Sequence, residues 1–163
     1  KLMTKIIVSL PRQTLTLLDE QGKEVKRYVV STSKNGAGEL NGSNCTPRGL
    51  HAIRAKIGAG LPLNAVFVDR RPTGEIYTPE LAKLYPKRDW ILTRVLWLSG
   101  CEVGFNRLGN VDTMRRYIYI HGSPDKVKMG KPGSIGCIRM RNQDLLELFD
   151  KVTVGTTVEI RER

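Results

Sequence analysis

The stretch YIYIHGSPDKVKMGKPGSIGCIRM, residues 117–140, holds the most chemically specific pattern in the chain. It opens as a short apolar and aromatic strand that ends on His121, runs through a loop of glycine, proline and lysine, and reaches Cys137. The chain has only two histidines and three cysteines, so one of each in a single strand-and-loop unit stands out. We predict that His121 and Cys137 meet in the fold as a base and a nucleophile.

Glycines next to both residues favour this chemistry. A thiol attacks as a thiolate, and a neighbouring imidazole can take its proton. Gly136 allows a strained turn before Cys137, in which consecutive backbone N–H groups would face a developing oxyanion. Gly122 lets backbone atoms approach the His121 ring, so that a carbonyl can fix its tautomer. Each residue alone has a plain structural explanation, since a buried cysteine is usually a small hydrophobe; together they favour catalysis.

The remaining histidine and cysteines carry weaker signals. His51 lies inside the alternating strand 50–56, which favours a residue that lines a sheet face, and we keep it as a pocket residue rather than the base. Cys45 and Cys101 are predicted to be free thiols. No CxxC or Cys/His metal spacing occurs, so we predict neither a metal site nor a cofactor.

Length and charge bound the classes of function. The 163 residues fit a single domain, residues 1–163, with 40% hydrophobic and 26% charged residues. No apolar run approaches the roughly 20 residues that a membrane-spanning helix needs, so no span is expected. The net charge of +11 predicts a solvated basic surface or an anionic partner, such as cell-wall material, an acidic membrane face or nucleic acid. Aromatics do not alternate with basic residues, which argues against nucleic acid.

The pattern of the chain predicts a mainly β fold, a β-sandwich or curled sheet. Glycine at position 22 suits the first hairpin turn, and a turn is expected at 70–74. Asn142 is a plausible cap of the one main helix, which follows Cys137, and a minor helix starts near Pro79. The predicted strands are 5–10, 13–19, 24–31, 50–56, 65–68, 90–98, 117–120 and 156–161.

These motifs resemble the signature of the L,D-transpeptidase (YkuD-type) catalytic domain family. His121-Gly122 followed by Ser134-x-Gly136-Cys137-Ile138-Arg139 is similar to the family's catalytic motif, and Thr46-Pro47-Arg48-Gly49 looks like its Thr-Pro-x-Gly loop. The resemblance covers nearly all of the chain.

The resemblance implies roles for individual residues. Cys137 would be the nucleophile and His121 the base, with the Gly122 carbonyl holding the imidazole. The backbone N–H groups of Gly136 and Cys137 would form the oxyanion hole. The substrate-binding residues would be Ser134, Arg139, Tyr119 and His51; Ser134 and Arg139 would also tether the active-site loop, and for Arg139 a structural ion pair is an equal alternative.

The substrate implied by the family is the tetrapeptide stem of peptidoglycan or of a muropeptide. Cys137 would attack the carbonyl at the L-centre of residue three, release D-alanine and form a thioester. An amine acceptor then gives L,D-transpeptidation and water gives L,D-carboxypeptidation. The resemblance also implies covalent inhibition by carbapenem-type β-lactams.

Two observations affect this prediction. Ile135 stands where the family commonly has histidine, which bears on the pocket wall and leaves a non-catalytic cell-wall or polyanion-binding module as the alternative. Lys1 and Leu2 could be left over from cloning, with Met3 as the native start. A cytoplasmic protein would then be expected, and water would be the favoured acceptor. Removal of a signal peptide would instead indicate the periplasm or cell envelope.

Overall fold

The computed structural model describes residues 4–163, so the N-terminal residues Lys1, Leu2 and Met3, on which the predicted start depends, lie outside it. The strands are Lys5–Ser9 (β1), Thr14–Leu18 (β2), Glu24–Ser31 (β3), Gly49–Ile57 (β4), Ala65–Val68 (β5), Arg71–Ile76 (β6), Ile91–Gly100 (β7), Tyr119–Gly122 (β8), Ile138–Met140 (β9) and Thr157–Arg161 (β10). The helices are Pro79–Leu84 (α1) and Asn142–Lys151 (α2), with a 3₁₀ turn at Gly109–Val111. In this described part, no helix is long and apolar enough to cross a membrane.

The strands form one sheet that curls until it closes. Its order is β4-β10-β1-β2-β3-β9-β8-β7-β5-β6, and a further pairing of β4 with β7 joins the first eight strands into a barrel. Among the strands of residues 4–163, β1 pairs with β10 and β8 with β9 in parallel, and the other ladders are antiparallel. The predicted mainly β, curled-sheet fold with one main helix after Cys137 is confirmed.

Two apolar clusters position the site. The barrel interior and the inner face of α2 form the main core, in which Ile120, Ile138 and Leu148 are fully buried. Outside the barrel wall, the β5–β6 hairpin covers a smaller cluster that includes Val95 and Tyr119. Because side chains alternate along a strand, β8 contributes Ile120 to the first cluster and Tyr119 to the second.

Several predicted boundaries differ from the structure. Tyr117 has a φ of +57°, so it belongs to a turn, and β8 starts at Tyr119 and includes His121 rather than ending before it. Of the turn expected at 70–74, Arg70 lies in a turn, whereas residues 71–74 belong to the strand β6. The three-residue strand β9 follows Cys137 directly. Asn142 is the first helical residue and is buried, while Arg141 occupies the cap position.

Candidate active site

The parallel pairing of β8 and β9 brings His121 and Cys137 to one face of the sheet. Ile120 pairs with Ile138 and His121 with Arg139, so Cys137, just before β9, lies beside Tyr119. Ile120 and Ile138 point into the barrel. Because side chains alternate between the two faces of a sheet, His121 and Cys137 both lie on the outer face, and along the strands they are offset by two residues. The structure thus brings together the two residues that the sequence singled out.

His121 is held by the backbone of the next residue. Its side chain is buried, and Nδ1 lies 2.7 Å from the Gly122 carbonyl oxygen. A carbonyl can only accept, so Nδ1 carries the proton and Nε2 of the neutral ring is an acceptor. Burial lowers the pKa of His121 below its ordinary value, against the opposing effect of the Gly122 carbonyl. The imidazole is therefore neutral, with its basic nitrogen available.

The thiol of Cys137 is half-buried and protonated. Its Sγ lies 3.3 Å from the Tyr119 backbone nitrogen and 3.5 Å from the Tyr117 carbonyl oxygen, so it accepts from one and donates to the other. Burial raises the pKa of Cys137 to about 12, although the Tyr119 N–H opposes the shift. A neutral thiol beside a neutral imidazole fits general-base activation during attack, rather than a preformed ion pair.

The turn before Cys137 is locked by hydroxyl groups. Gly136 has a φ of +135°, a backbone conformation that favours glycine. Ser134 Oγ accepts from the Gly136 N–H at 3.2 Å and donates to the Cys137 carbonyl at 2.6 Å. Thr46 Oγ1 donates to the Gly136 carbonyl at 2.9 Å. These bonds fix the peptide planes on both sides of Cys137.

Those contacts bear on two predicted roles. Ser134 is 2% exposed and uses its hydroxyl within the turn, which fits the predicted tethering of the loop; its contact with substrate stays a prediction. The Gly136 N–H already donates to Ser134, which leaves the Cys137 N–H as the backbone donor of the predicted oxyanion pair.

Two residues near the site had roles that sequence reasoning missed. Thr46 belongs to a recognised motif, yet only the fold shows it bound to the Gly136 carbonyl. The Arg116 guanidinium donates to the carbonyls of Cys45, at 2.6 Å, and Gly38, at 3.2 Å, which holds the 32–48 loop against the nucleophile turn. No role was predicted for Arg116 from the sequence.

His51 and Tyr119, which we predicted as substrate-binding residues, are both buried. His51 is fully buried in β4, with Nδ1 3.0 Å from the Gly49 carbonyl and Nε2 3.0 Å from Thr113 Oγ1. Burial lowers the pKa of His51 to about 4, so it is a neutral structural histidine. The Tyr119 ring is also buried, and its hydroxyl accepts from Arg70. Tyr119 acts on the site through its backbone N–H.

Arg139, the middle residue of β9, borders a cleft of about 650 Å³. It donates to the Gly133 carbonyl at 3.1 Å and pairs with Asp89 at 3.2 Å, and its side chain also lines the cleft. The predicted ion pair is therefore present on a residue that a ligand in the cleft could reach. Cys137 does not line this cleft, whereas Ile135, beside the nucleophile turn, is 52% exposed. Within residues 4–163, no cluster of His, Cys, Asp or Glu could hold a metal ion.

Comparisons with known proteins agree with this geometry. The profile of the L,D-transpeptidase catalytic domain family, YkuD, matches residues 3–160. A Salmonella typhimurium protein named as the L,D-transpeptidase ErfK/SrfK is 48% identical over 48 residues, which are 29% of this chain and 16% of that protein. The chain thus matches a small fraction of the length of this curated relative.

Solved structures share the fold at low sequence identity. An L,D-transpeptidase of Xylanimonas cellulosilytica superposes with a TM-score of 0.62 at 18% identity, over 98% of this chain and 60% of that one. L,D-transpeptidase 3 of Mycobacterium tuberculosis, in complex with a faropenem-derived adduct, gives a TM-score of 0.61 at 16% identity, over 99% and 61% of the two chains.

Proposed function

Because the chain belongs to the L,D-transpeptidase (YkuD) catalytic domain family, we propose that it acts on the tetrapeptide stem of peptidoglycan, with Cys137 as nucleophile and His121 as general base. The observation that carries this proposal is the tautomer of His121. Its Nδ1–H is held by the Gly122 carbonyl at 2.7 Å, so Nε2 is the basic nitrogen on the face that the Cys137 thiol shares.

The first half-reaction transfers the acyl group to sulfur. Nε2 of His121 takes the thiol proton as Sγ of Cys137 forms a bond to the carbonyl carbon at the L-centre of residue three. In this proposal, the Cys137 N–H donates to the oxyanion that develops. Collapse of the intermediate breaks the C–N bond, and the imidazolium returns its proton to the departing amine. The products are free D-alanine and a Cys137 thioester.

The second half-reaction consumes the thioester. Neutral His121 takes a proton from the acceptor, which attacks the thioester carbonyl while the thiolate leaves and is reprotonated. Water gives a tripeptide, the carboxypeptidase outcome; an amine of a second stem gives a cross-link, the transpeptidase outcome. The acylation step is common to both outcomes.

A β-lactam carbonyl is a second electrophile for the same thiol. L,D-transpeptidase 3 of M. tuberculosis has been solved with a faropenem-derived adduct. We propose that a carbapenem likewise acylates Cys137, which would increase the mass of the protein by that of the bound drug.

The test is release of D-alanine from a disaccharide-tetrapeptide. We expect turnover that Cys137→Ala abolishes, whereas Cys45→Ala and Cys101→Ala, which remove the other free thiols, retain it. Mass spectrometry of the peptide product, with and without an added amine acceptor, then separates hydrolysis from transfer. Full turnover by Cys137→Ala would contradict the proposed nucleophile. No turnover by the parent protein would favour a non-catalytic wall-binding module.

A further inference from the structure

Arg70 lies at the tip of the β5–β6 hairpin in an unusual backbone conformation. Val68 pairs with Arg71, so Asp69 and Arg70 form a two-residue loop, with φ values of +50° and +65°. Such loops normally use Gly, Asn or Asp, because a larger side chain is strained at positive φ. An arginine at this position therefore suggests a role for its side chain.

The Arg70 guanidinium is fixed on an aromatic platform. Nη1 donates to the Tyr119 hydroxyl at 2.9 Å. The guanidinium carbon lies 4.4 Å from the centre of the Tyr117 ring and 5.0 Å from that of Trp97. Stacking and a hydrogen bond hold the planar group in one orientation, which lowers the entropy lost when it binds a ligand.

This platform adjoins the proposed nucleophile. The Tyr119 side chain reaches Arg70, and its backbone N–H lies 3.3 Å from Cys137 Sγ. The Tyr117 ring contacts Arg70, and its carbonyl oxygen lies 3.5 Å from the same sulfur. Each of these two tyrosines thus contacts the guanidinium with its side chain and the thiol with its backbone.

Arg70 has no carboxylate partner in the described part of the chain. Arg88 offers a direct comparison, since it stacks on Tyr85 and Trp90 in a similar way but is also paired with Glu75 at 2.8 Å. None of the ion pairs among residues 4–163 includes Arg70, whose side chain is half-buried and keeps further N–H donors free. Its permanent charge and forked donors suit a carboxylate.

We propose that Arg70 binds a carboxylate of the acyl-donor peptide and thereby positions the scissile carbonyl over Cys137. This inference rests on the proposed function. A tetrapeptide stem offers two suitable sources close to the reacting bond: the C-terminal carboxylate of the leaving D-alanine, and a side-chain carboxylate on residue three, as in diaminopimelate.

The test measures peptide binding in the Cys137→Ala protein, so that no reaction intervenes. Three tetrapeptides are compared by calorimetry: the parent, one with a C-terminal D-alanine amide, and one with a carboxamide on the side chain of residue three. Each is titrated into Cys137→Ala alone and combined with Arg70→Gln or with Arg71→Gln, an exposed arginine next to it in the chain that serves as the matched control. Arg70→Lys provides a second variant that keeps the charge but loses the forked donors.

We expect Arg70→Gln to weaken binding of the parent peptide about 10- to 100-fold, as for a lost charge-assisted hydrogen bond. Arg70→Lys should lie between, and Arg71→Gln should change nothing. One of the two amidated peptides should bind weakly to the protein with Arg70. The Arg70→Gln substitution should not weaken its binding further. The carboxylate that is missing from this peptide is then the one that Arg70 recognises.

Any of three results would overturn the proposal. Arg70→Gln could weaken the binding of all three peptides equally, it could weaken the binding of none of them, or the parent peptide could fail to bind. D-alanine release by the parent protein without this pattern of binding contradicts the role of Arg70 alone. The binding pattern without D-alanine release contradicts the proposed reaction alone.

Discussion

The Cys137 thiol and the His121 imidazole are both uncharged at rest, because burial moves their pKa values in opposite directions. It raises the pKa of the thiol to about 12 and lowers the pKa of the imidazole below 6.5. Burial therefore disfavours the charged form of each group, and in the proposed mechanism the energetic cost of separating charge falls in the step of attack. The Tyr119 N–H beside the sulfur and the Gly122 carbonyl beside Nδ1 stabilise the thiolate and the imidazolium as they form.

This pairing predicts the pH dependence of turnover. The proposed mechanism requires neutral His121, and a lowered pKa means that protonation of His121, and with it the loss of activity, is expected below the ordinary value of about 6.5. The profile of kcat/KM should be flat through neutral pH, fall only at more acidic pH, and show no limb near the ordinary thiol pKa of about 8.5. D-alanine release between roughly pH 4 and pH 10 measures it. A rise centred near pH 8 would contradict the general-base mechanism, because it would report free ionisation of the thiol.

The chemical role of a residue could be predicted from the sequence where that role depends on residues nearby in the chain. His121, Gly122, Gly136 and Cys137 are arranged by one strand and one turn, so composition and spacing indicated the pair and its flanking glycines. The bond from Thr46 to the Gly136 carbonyl joins residues 90 positions apart, and no local pattern contains it. His51 shows the converse: its alternating strand is real, but only tertiary contacts reveal that both ring nitrogens are occupied.

At the scale of elements, short strands escaped sequence reasoning because their partners define them. β9 has three residues, and it forms a strand because it pairs with β3 on one side and β8 on the other. The residues Ile-Arg-Met alone do not indicate these partners. β6 pairs only with β5, and its exposed residues read as a turn. Strands that bury alternating apolar residues, such as β10, were predicted, because this alternation is visible in the sequence of the strand itself.

Asn142, the first residue of α2, binds the backbone just after β8, the strand that carries His121. We therefore predict that Asn142→Ala has a large effect on stability. Asn142 donates to the Ser123 carbonyl at 2.9 Å and to Asn64 Oδ1 at 3.0 Å, and accepts from Thr93 Oγ1 at 2.7 Å. Removing the amide leaves buried partners unsatisfied, so we expect a loss of about 2 to 3 kcal/mol in the free energy of unfolding. Urea denaturation measures this loss. Gln143→Ala, at the exposed neighbour on α2, is the control and should leave stability almost unchanged; equal midpoints for both variants would show that Asn142 is not an anchor.

At the scale of the whole molecule, the sequence indicated the class of fold but not its closure. Alternating strands and a single helix predict a mainly β domain. The pairing of β4 with β7 that closes the barrel joins His51 to Gly100 and Ile57 to Val95, and depends on the cumulative twist of every strand between them. Hydrophobic alternation is the same in an open and a closed sheet, so closure is not written in any one segment.

The net charge of +11 is a property of the whole chain, and it predicts how the protein would approach the proposed substrate in its polymeric form. Purified peptidoglycan carries many stem carboxylates, and a basic surface should concentrate the protein on it through long-range attraction that salt screens over about 10 Å at 0.1 M. We expect the Cys137→Ala protein to co-sediment with insoluble peptidoglycan at about 0.05 M NaCl and to be released as salt rises to about 0.5 M. Peptidoglycan whose carboxylates have been amidated is the control and should retain little protein at either concentration. Co-sedimentation that is unchanged by salt and by amidation would show that local contacts at the site, rather than the overall charge, hold the protein on the polymer.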